Sequence, residues 1–184
     1  MRRTSGVKSS RPPRPAPAGV SLQSEDLTVF HPDLPAIGTA APDFTLRDQF
    51  GQTITLSAVR AQSPVAIVFF PLAFTSTCSE ELGELRDNLA LFRAAGVRLL
   101  AISVDSTATL REFAERENYG FSLLADFWPH GAVAGRYGAF LGDKGYAARA
   151  TVLVDARGIV RASFTAASDE ARPLDSYRAA IAAL

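Results

Sequence analysis

Along the chain, unbroken apolar runs alternate with amphipathic ones. PVAIVFF (64–70) and VRLLAISV (97–104) are continuous runs rich in β-branched and aromatic residues, the pattern of strands buried on both faces. FSLLAD (121–126) is a shorter run of the same kind. Between them the period changes. From Ser79 onward, Leu82, Leu85, Leu89 and Phe92 recur at helical spacing as far as Gly96, which predicts one helix closed by that glycine. STATLREFAERENYG (106–120) opens on capping-type residues, runs helically through Leu110, Phe113 and Ala114, and stops at Gly120. HGAVAGRYGAF (130–140) predicts a short helix, and PLDSYRAAIAAL (173–184) a C-terminal helix starting near Pro173. Two stretches read as hairpins. DFTLRDQFGQTITL (43–56) alternates around a turn at Phe50–Gly51, and ARATVLVDARGIVRASF (148–164) turns at Ala156–Gly158. The order hairpin, β, α, β, α, β, α, hairpin, α predicts an α/β fold with a mixed central sheet.

Composition agrees with one domain that buries a substantial core: 184 residues, 47% hydrophobic and 21% charged. Charge divides the chain unevenly. Residues 1–24 hold five bases and no acid, so the remainder, with 14 bases and 19 acids, carries a net −5. We therefore divide the chain into a disordered, basic Pro/Arg/Ser-rich tail (1–35) and a folded domain (36–184). A net-negative domain gives no support to nucleic-acid binding, which is driven by basic patches against phosphate. No apolar run approaches the ~18–20 residues of a membrane span. The paired Arg2 and Arg3 are followed by no apolar segment, so the N-terminus does not read as a secretory signal.

The chain has one cysteine, Cys78, and two histidines, His31 and His130. An internal disulfide, a CxxC redox pair and a thiolate zinc cluster are thereby excluded. No GxGxxG follows a strand and no GxxxxGK[ST] occurs, so nothing supports nucleotide binding, and with only two histidines beside the cysteine a metal site would have to lean on carboxylates; no cofactor and no metal are expected. A reducing, cytoplasmic setting is expected from the cysteine usage.

What remains is a lone thiol where a strand hands over to a helix. A buried cysteine is often only packing. Here Cys78 falls in the first turn of a predicted helix, where free N–H groups and the helix dipole favour a thiolate, the nucleophilic form. Thr75 lies three residues earlier, where a tight turn aims its hydroxyl at whatever the sulfur attacks. Pro71 ends the strand and has no N–H to continue the ladder. Glu81 suits the same dipole, a placement that simple helix stabilisation explains equally well. His130 invites a Cys–His dyad, but a local structural histidine is the plainer reading. Phe127 and Trp128 read as an active-site wall, a subunit contact or plain core. Asp105 and Asp126 end strands and read as cap residues.

The stretch PLAFTSTCSEE resembles the peroxiredoxin active-site pattern Pro-x-x-x-Thr/Ser-x-x-Cys, with the glutamate that many members place three residues on. Pro71, Thr75, Cys78 and Glu81 match it position by position. The resemblance runs from residue 37 to 184 and includes DFWPHGAVAGRYGAF and ARATVLVDARGIVR. It is most similar to the one-cysteine, alkyl hydroperoxide reductase E-type peroxiredoxins of actinobacteria. That resemblance implies a thioredoxin-like fold with an N-terminal β-hairpin. It also implies a peroxide substrate, Arg149 as the active-site arginine, and a homodimer. Cys78 would become a sulfenic acid, resolved by an external thiol: mycothiol with mycoredoxin, thioredoxin, or a glutaredoxin-type partner. Two rivals share Cys78: a sensor that relays oxidation to a partner protein, and an interaction module in which the thiol is inert.

Overall fold

The computed structural model describes residues 33–184 except residue 168; the predicted tail falls almost wholly outside the described residues. The first hairpin forms where alternation places it, from β1 (Thr45–Asp48) and β2 (Thr53–Thr55), with Leu46 opposite Ile54. Its turn is held by Asp48, whose Oδ1 accepts the amides of Phe50 and Gln52. Gly51 takes φ +80 there, a conformation glycine adopts without strain. The expected hairpin runs to Leu56, but that residue instead opens a short helix, α1 (Leu56–Arg60).

Strands β3 (Val65–Phe69), β4 (Arg98–Ser103) and β5 (Ser122–Ala125) are the three apolar runs, and they pair in parallel. The helix expected from Ser79 to Gly96 is two helices, α2 (Ser76–Asp87) and α3 (Leu89–Ala94), broken at Asn88. Asn88 leaves helical geometry, and its side-chain amide donates back to the Glu84 carbonyl. This is the local competition for backbone groups that makes asparagine a poor helix-interior residue. Helix α4 (Thr107–Glu117) is capped by Ser106, whose Oγ accepts the Thr109 amide. It ends at Asn118 in the left-handed conformation, two residues before the expected glycine.

Helix α5 (Ala132–Arg136) is shorter than its sequence stretch. The residues that follow form an unexpected small hairpin, β6 (Phe140–Leu141) with β7 (Tyr146–Ala147). The last hairpin, β8 (Ala150–Val154) and β9 (Val160–Thr165), and the helix α6 (Leu174–Ala182) lie where the sequence predicts them.

Seven strands make one mixed sheet in the order β2-β1-β5-β4-β3-β8-β9. Helices cover both faces because alternate residues of each strand point to opposite sides. Val68, Phe70, Ala101 and Leu153 meet Leu82, Phe92, Phe113 and Tyr177 of α2, α3, α4 and α6. Ile67, Phe69, Ile102 and Val152 meet Leu56, Val133 and Tyr137 on the other side. Each such side chain, fully buried, contributes about 1.5–3 kcal/mol.

Candidate active site

Strand β3 delivers the chain to a short loop and then to α2. Phe70 still donates to the Ile102 carbonyl, so pairing with β4 extends one residue past β3. Pro71, buried, follows and cannot donate. The loop is tethered from the neighbouring strand: Asp105 Oδ2 accepts both the Ala73 amide and the Ser103 hydroxyl, each at 2.8 Å. Asp105 is thus a loop anchor, and Ser106 is the α4 cap. Phe74 holds φ +63, left-handed backbone that costs a bulky residue about 1–3 kcal/mol. Its ring lies against Phe113, with centroids 4.9 Å apart, and under the Arg116 guanidinium. Thr75 is the α2 N-cap position; its carbonyl accepts the Ser79 amide, and its hydroxyl donates to the Leu72 carbonyl at 3.1 Å.

Cys78 is the third residue of α2 and has no solvent exposure. Its amide belongs to the first turn, whose N–H groups have no i−4 carbonyl. The buried stripe of this helix is Cys78, Glu81, Leu82 and Leu85, a helical i, i+3, i+4, i+7 set. An acid therefore occupies a core position, and it is fully paired there. Arg149 Nη1 donates to Glu81 Oε2 at 2.8 Å, and Arg149 Nη2 donates to Cys78 Sγ at 3.4 Å. Arg172 grips the same carboxylate as a fork, through Nε to Oε1 at 2.6 Å and Nη2 to Oε2 at 2.8 Å, and adds its backbone amide. Its remaining nitrogen, Nη1, donates to the Thr151 hydroxyl, which donates in turn to the Tyr177 hydroxyl. Strand alternation explains why Arg149 reaches this side. It precedes β8 by one residue and shares the face of Thr151 and Leu153.

Electrostatics follow from the count of charges. Burial pushes the Glu81 carboxyl up, but the charge and hydrogen bonds of Arg172, with the charge of Arg149, outweigh it and hold the carboxyl below its ordinary range. Burial likewise raises Tyr177, so its hydroxyl stays protonated beside Arg172. One carboxylate and two guanidinium groups leave this buried cluster with one net positive charge. A thiolate at Cys78 neutralises it.

The structure brings Cys78, Arg149 and Glu81 into contact, with Pro71 and Thr75 at the two ends of the loop before them. Arg172 has no counterpart in the sequence reading. Its signal was indirect: a glutamate on an apolar helical stripe requires a buried cation, but nothing in the sequence says which one. His130 is not part of the cluster; its Nε2 donates to the Gly145 carbonyl at 2.7 Å and steadies the β6–β7 hairpin. Asp126 accepts the amides of Val133 and Ala134 and so caps α5, as a strand-ending aspartate should. Trp128 is 82% exposed and Phe127 54%, which removes the core-packing reading for both.

A thiol in a helix's first turn, beside a fixed guanidinium, is an arrangement that suits a thiol redox enzyme. Known proteins carry the assignment further. Residues 37–163 match the AhpC/TSA family. The chain is 45% identical over 148 residues to Alkyl hydroperoxide reductase E of Mycobacterium tuberculosis, covering 80% of this chain and 97% of that one. To Peroxiredoxin Bcp of Escherichia coli it is 40% identical over 89 residues, 48% of this chain and 56% of that one. Among solved structures, Peroxidoxin BcpB from Mycobacterium tuberculosis superimposes with a TM-score of 0.70 at 28% identity, covering 80% of this chain and 94% of that one. The chain belongs to the AhpC/TSA family: it is a peroxiredoxin, a thiol-dependent peroxidase, and its single cysteine fits the one-cysteine type.

Proposed function

We propose that the protein reduces hydrogen peroxide and organic hydroperoxides, with peroxynitrite in the same class, through Cys78, and that an external thiol regenerates it. The Cys78 thiolate attacks the terminal peroxide oxygen in line. An S–O bond forms, the O–O bond breaks, and the alkoxide or hydroxide leaves and takes up a proton. The product at the enzyme is Cys78 sulfenic acid. Arg149 faces the sulfur with a fixed donor, so it steadies the thiolate and the charge that develops on the oxygens. Thr75 donates its hydroxyl proton to Leu72, which leaves its oxygen free to accept the peroxide hydrogen. Pro71 shapes the loop.

A second thiol then attacks the sulfenic sulfur, water leaves, and a mixed disulfide forms that a further thiol reduces. The 184 residues contain no other cysteine to do this. The candidate reductants are mycothiol with mycoredoxin, thioredoxin, and a glutaredoxin-type protein. The protein works as a homodimer in the cytoplasm. The observation that carries this reading is the Arg149 Nη2 to Cys78 Sγ contact, at a helix N-terminus.

Rapid-quench mixing of reduced protein with one equivalent of hydrogen peroxide, trapping with dimedone and measuring intact mass, is the test. Trp128 is too exposed to serve as a dependable optical reporter. Fast formation of one adduct on Cys78, followed by turnover with a small thiol, supports the reading. Oxidation no faster than that of a free thiol overturns it. Fast oxidation without thiol turnover, but with one trapped protein disulfide, replaces peroxidase by relay.

A further inference from the structure

The end of the sheet opposite Cys78 holds a cleft that peroxide chemistry does not use. Cys78 follows the C-terminal end of β3, and β3, β4 and β5 run parallel. The cleft, about 510 Å³, lies at their N-terminal ends, where Ser63, Arg98 and Ser122 line it together with Leu89, Arg93 and Gly120. That volume is in the range of small-molecule sites, roughly 300–1,000 Å³. Leu99, Val97, Phe121 and the 58%-exposed Phe50 give it an apolar side, and Gln49 and Tyr119 add polar atoms.

Its charge is out of keeping with the domain. Residues 25–184 carry a net −5, yet among the described residues no acid lines this cleft and two arginines do. Neither Arg93 nor Arg98 forms an ion pair among the described residues, a state they share with Arg47, Arg60, Arg111, Arg116 and Arg136, but these two stand together in one cleft. Gly120 keeps the space open. A Cβ there would meet Leu89 Cδ2 at 3.4 Å and Arg93 Nη2 at 3.8 Å, so a larger side chain would grow between the apolar wall and the cation. Two guanidinium groups with no ion pair among the described residues, beside Leu89 and Phe50, are complementary to an anion with an apolar body.

We propose that this cleft binds a small amphipathic anion, with its apolar body against Leu89 and Phe50 and a carboxylate or phosphate head on Arg93 and Arg98. The test is an NMR titration of the reduced, full-length protein with octanoate, octyl phosphate, 1-octanol and octylammonium. Both anions should saturate, with shifts gathered at the Gly96, Gly120 and Ser122 amides, and bind about tenfold or more tighter than the alcohol. Whichever anion binds tighter names the head group. Arg93→Ala with Arg98→Ala should weaken the anions about tenfold and leave the alcohol alone. Gly120→Val should block both while keeping the charges, and Arg178→Ala should change nothing. The arginines are exposed; should the double variant lose its native spectrum, the single variants carry the same test. An unchanged rate of Cys78 oxidation in these variants separates the cleft from the peroxidase site. Octanol binding as tightly as the anions, scattered shifts, or an indifferent arginine variant would overturn the proposal.

Discussion

At one end of β8 the carboxylate of Glu81 sits between Arg149 and Arg172; at the other, the carboxylate of Asp155 sits between Arg157 and Arg161. The chemistry is the same and the setting is not. Glu81, Arg149 and Arg172 are all buried, and among the described residues every bond the carboxylate makes is to those two arginines. Asp155 lies at a surface turn, where Arg157 and Arg161 reach solvent and the backbone amides of Arg157 and Ile159 share the load. Burial raises the Asp155 carboxyl, only 8% exposed, but those amides and Arg161 outweigh it and hold it at about 2. Both acids are therefore ionised at neutral pH, and the contrast lies in the cost of losing a partner. Removing one partner of a fully buried ion pair costs about 3–5 kcal/mol, whereas a pair whose cation reaches solvent, as Arg157 and Arg161 do, contributes about 0–1 kcal/mol.

The comparison can be broken most directly at the group the buried cluster serves. Cys78→Ser should abolish peroxide turnover while leaving the fold, since the two side chains differ little in size; residual turnover in a peroxidase assay would sink the mechanism. Next comes Arg149→Gln, which keeps hydrogen bonding and removes the charge. Sulfenic acid formation should slow by about 100–1,000-fold, the loss typical of one preorganised donor.

Arg172→Met tests burial itself. It leaves Glu81 with a single cation, and urea unfolding should show a loss of about 3–5 kcal/mol; a stability equal to the parent's would erase the contrast. Thr75→Val should lose most of the peroxidase rate, about tenfold for one hydrogen bond, and Thr75→Ser should keep it. The smaller effect on stability belongs to Asp155→Asn, about 2 kcal/mol, the value of a carboxyl held at about 2 rather than 3.8. Because the folded Asp155 value lies below its unfolded value of 3.8, its contribution is complete above that pH and is lost as the pH falls toward 2. The gap in urea midpoint between Asp155→Asn and the parent should therefore narrow on acidification from pH 5.

Local sequence made some of these elements legible and hid others for definite reasons. The three parallel strands were plain because strands covered on both faces need uninterrupted apolar runs. Cys78 was placed correctly because a strand run and a helical period meet within a few residues of it. The break at Asn88 was hidden because Leu85, Leu89 and Phe92 keep a helical spacing across it, although asparagine was the warning. Helix α1 and the β6–β7 hairpin span five residues or fewer per element, too short for any period to show. Arg172 is 91 positions from the carboxylate it grips; such a contact is a property of the sheet topology and leaves no local mark.

In β3 and β8, Phe69 stands opposite Ala150 and Val65 opposite Val154. That pairing has a consequence for how this protein tolerates changes of length. Deleting any single residue inside β8 would slide Arg149 one place along the strand and turn it to the opposite face of the sheet, among Phe69 and Val152. Every side chain of the site would still be encoded, yet the sulfur would lose its guanidinium. A residue gained or lost in the 142–145 turn should disturb the β6–β7 hairpin and the His130 bond to Gly145, and leave Arg149 on its face of the main sheet. For this site, a deletion inside β8 is a harsher change than most substitutions at Arg149.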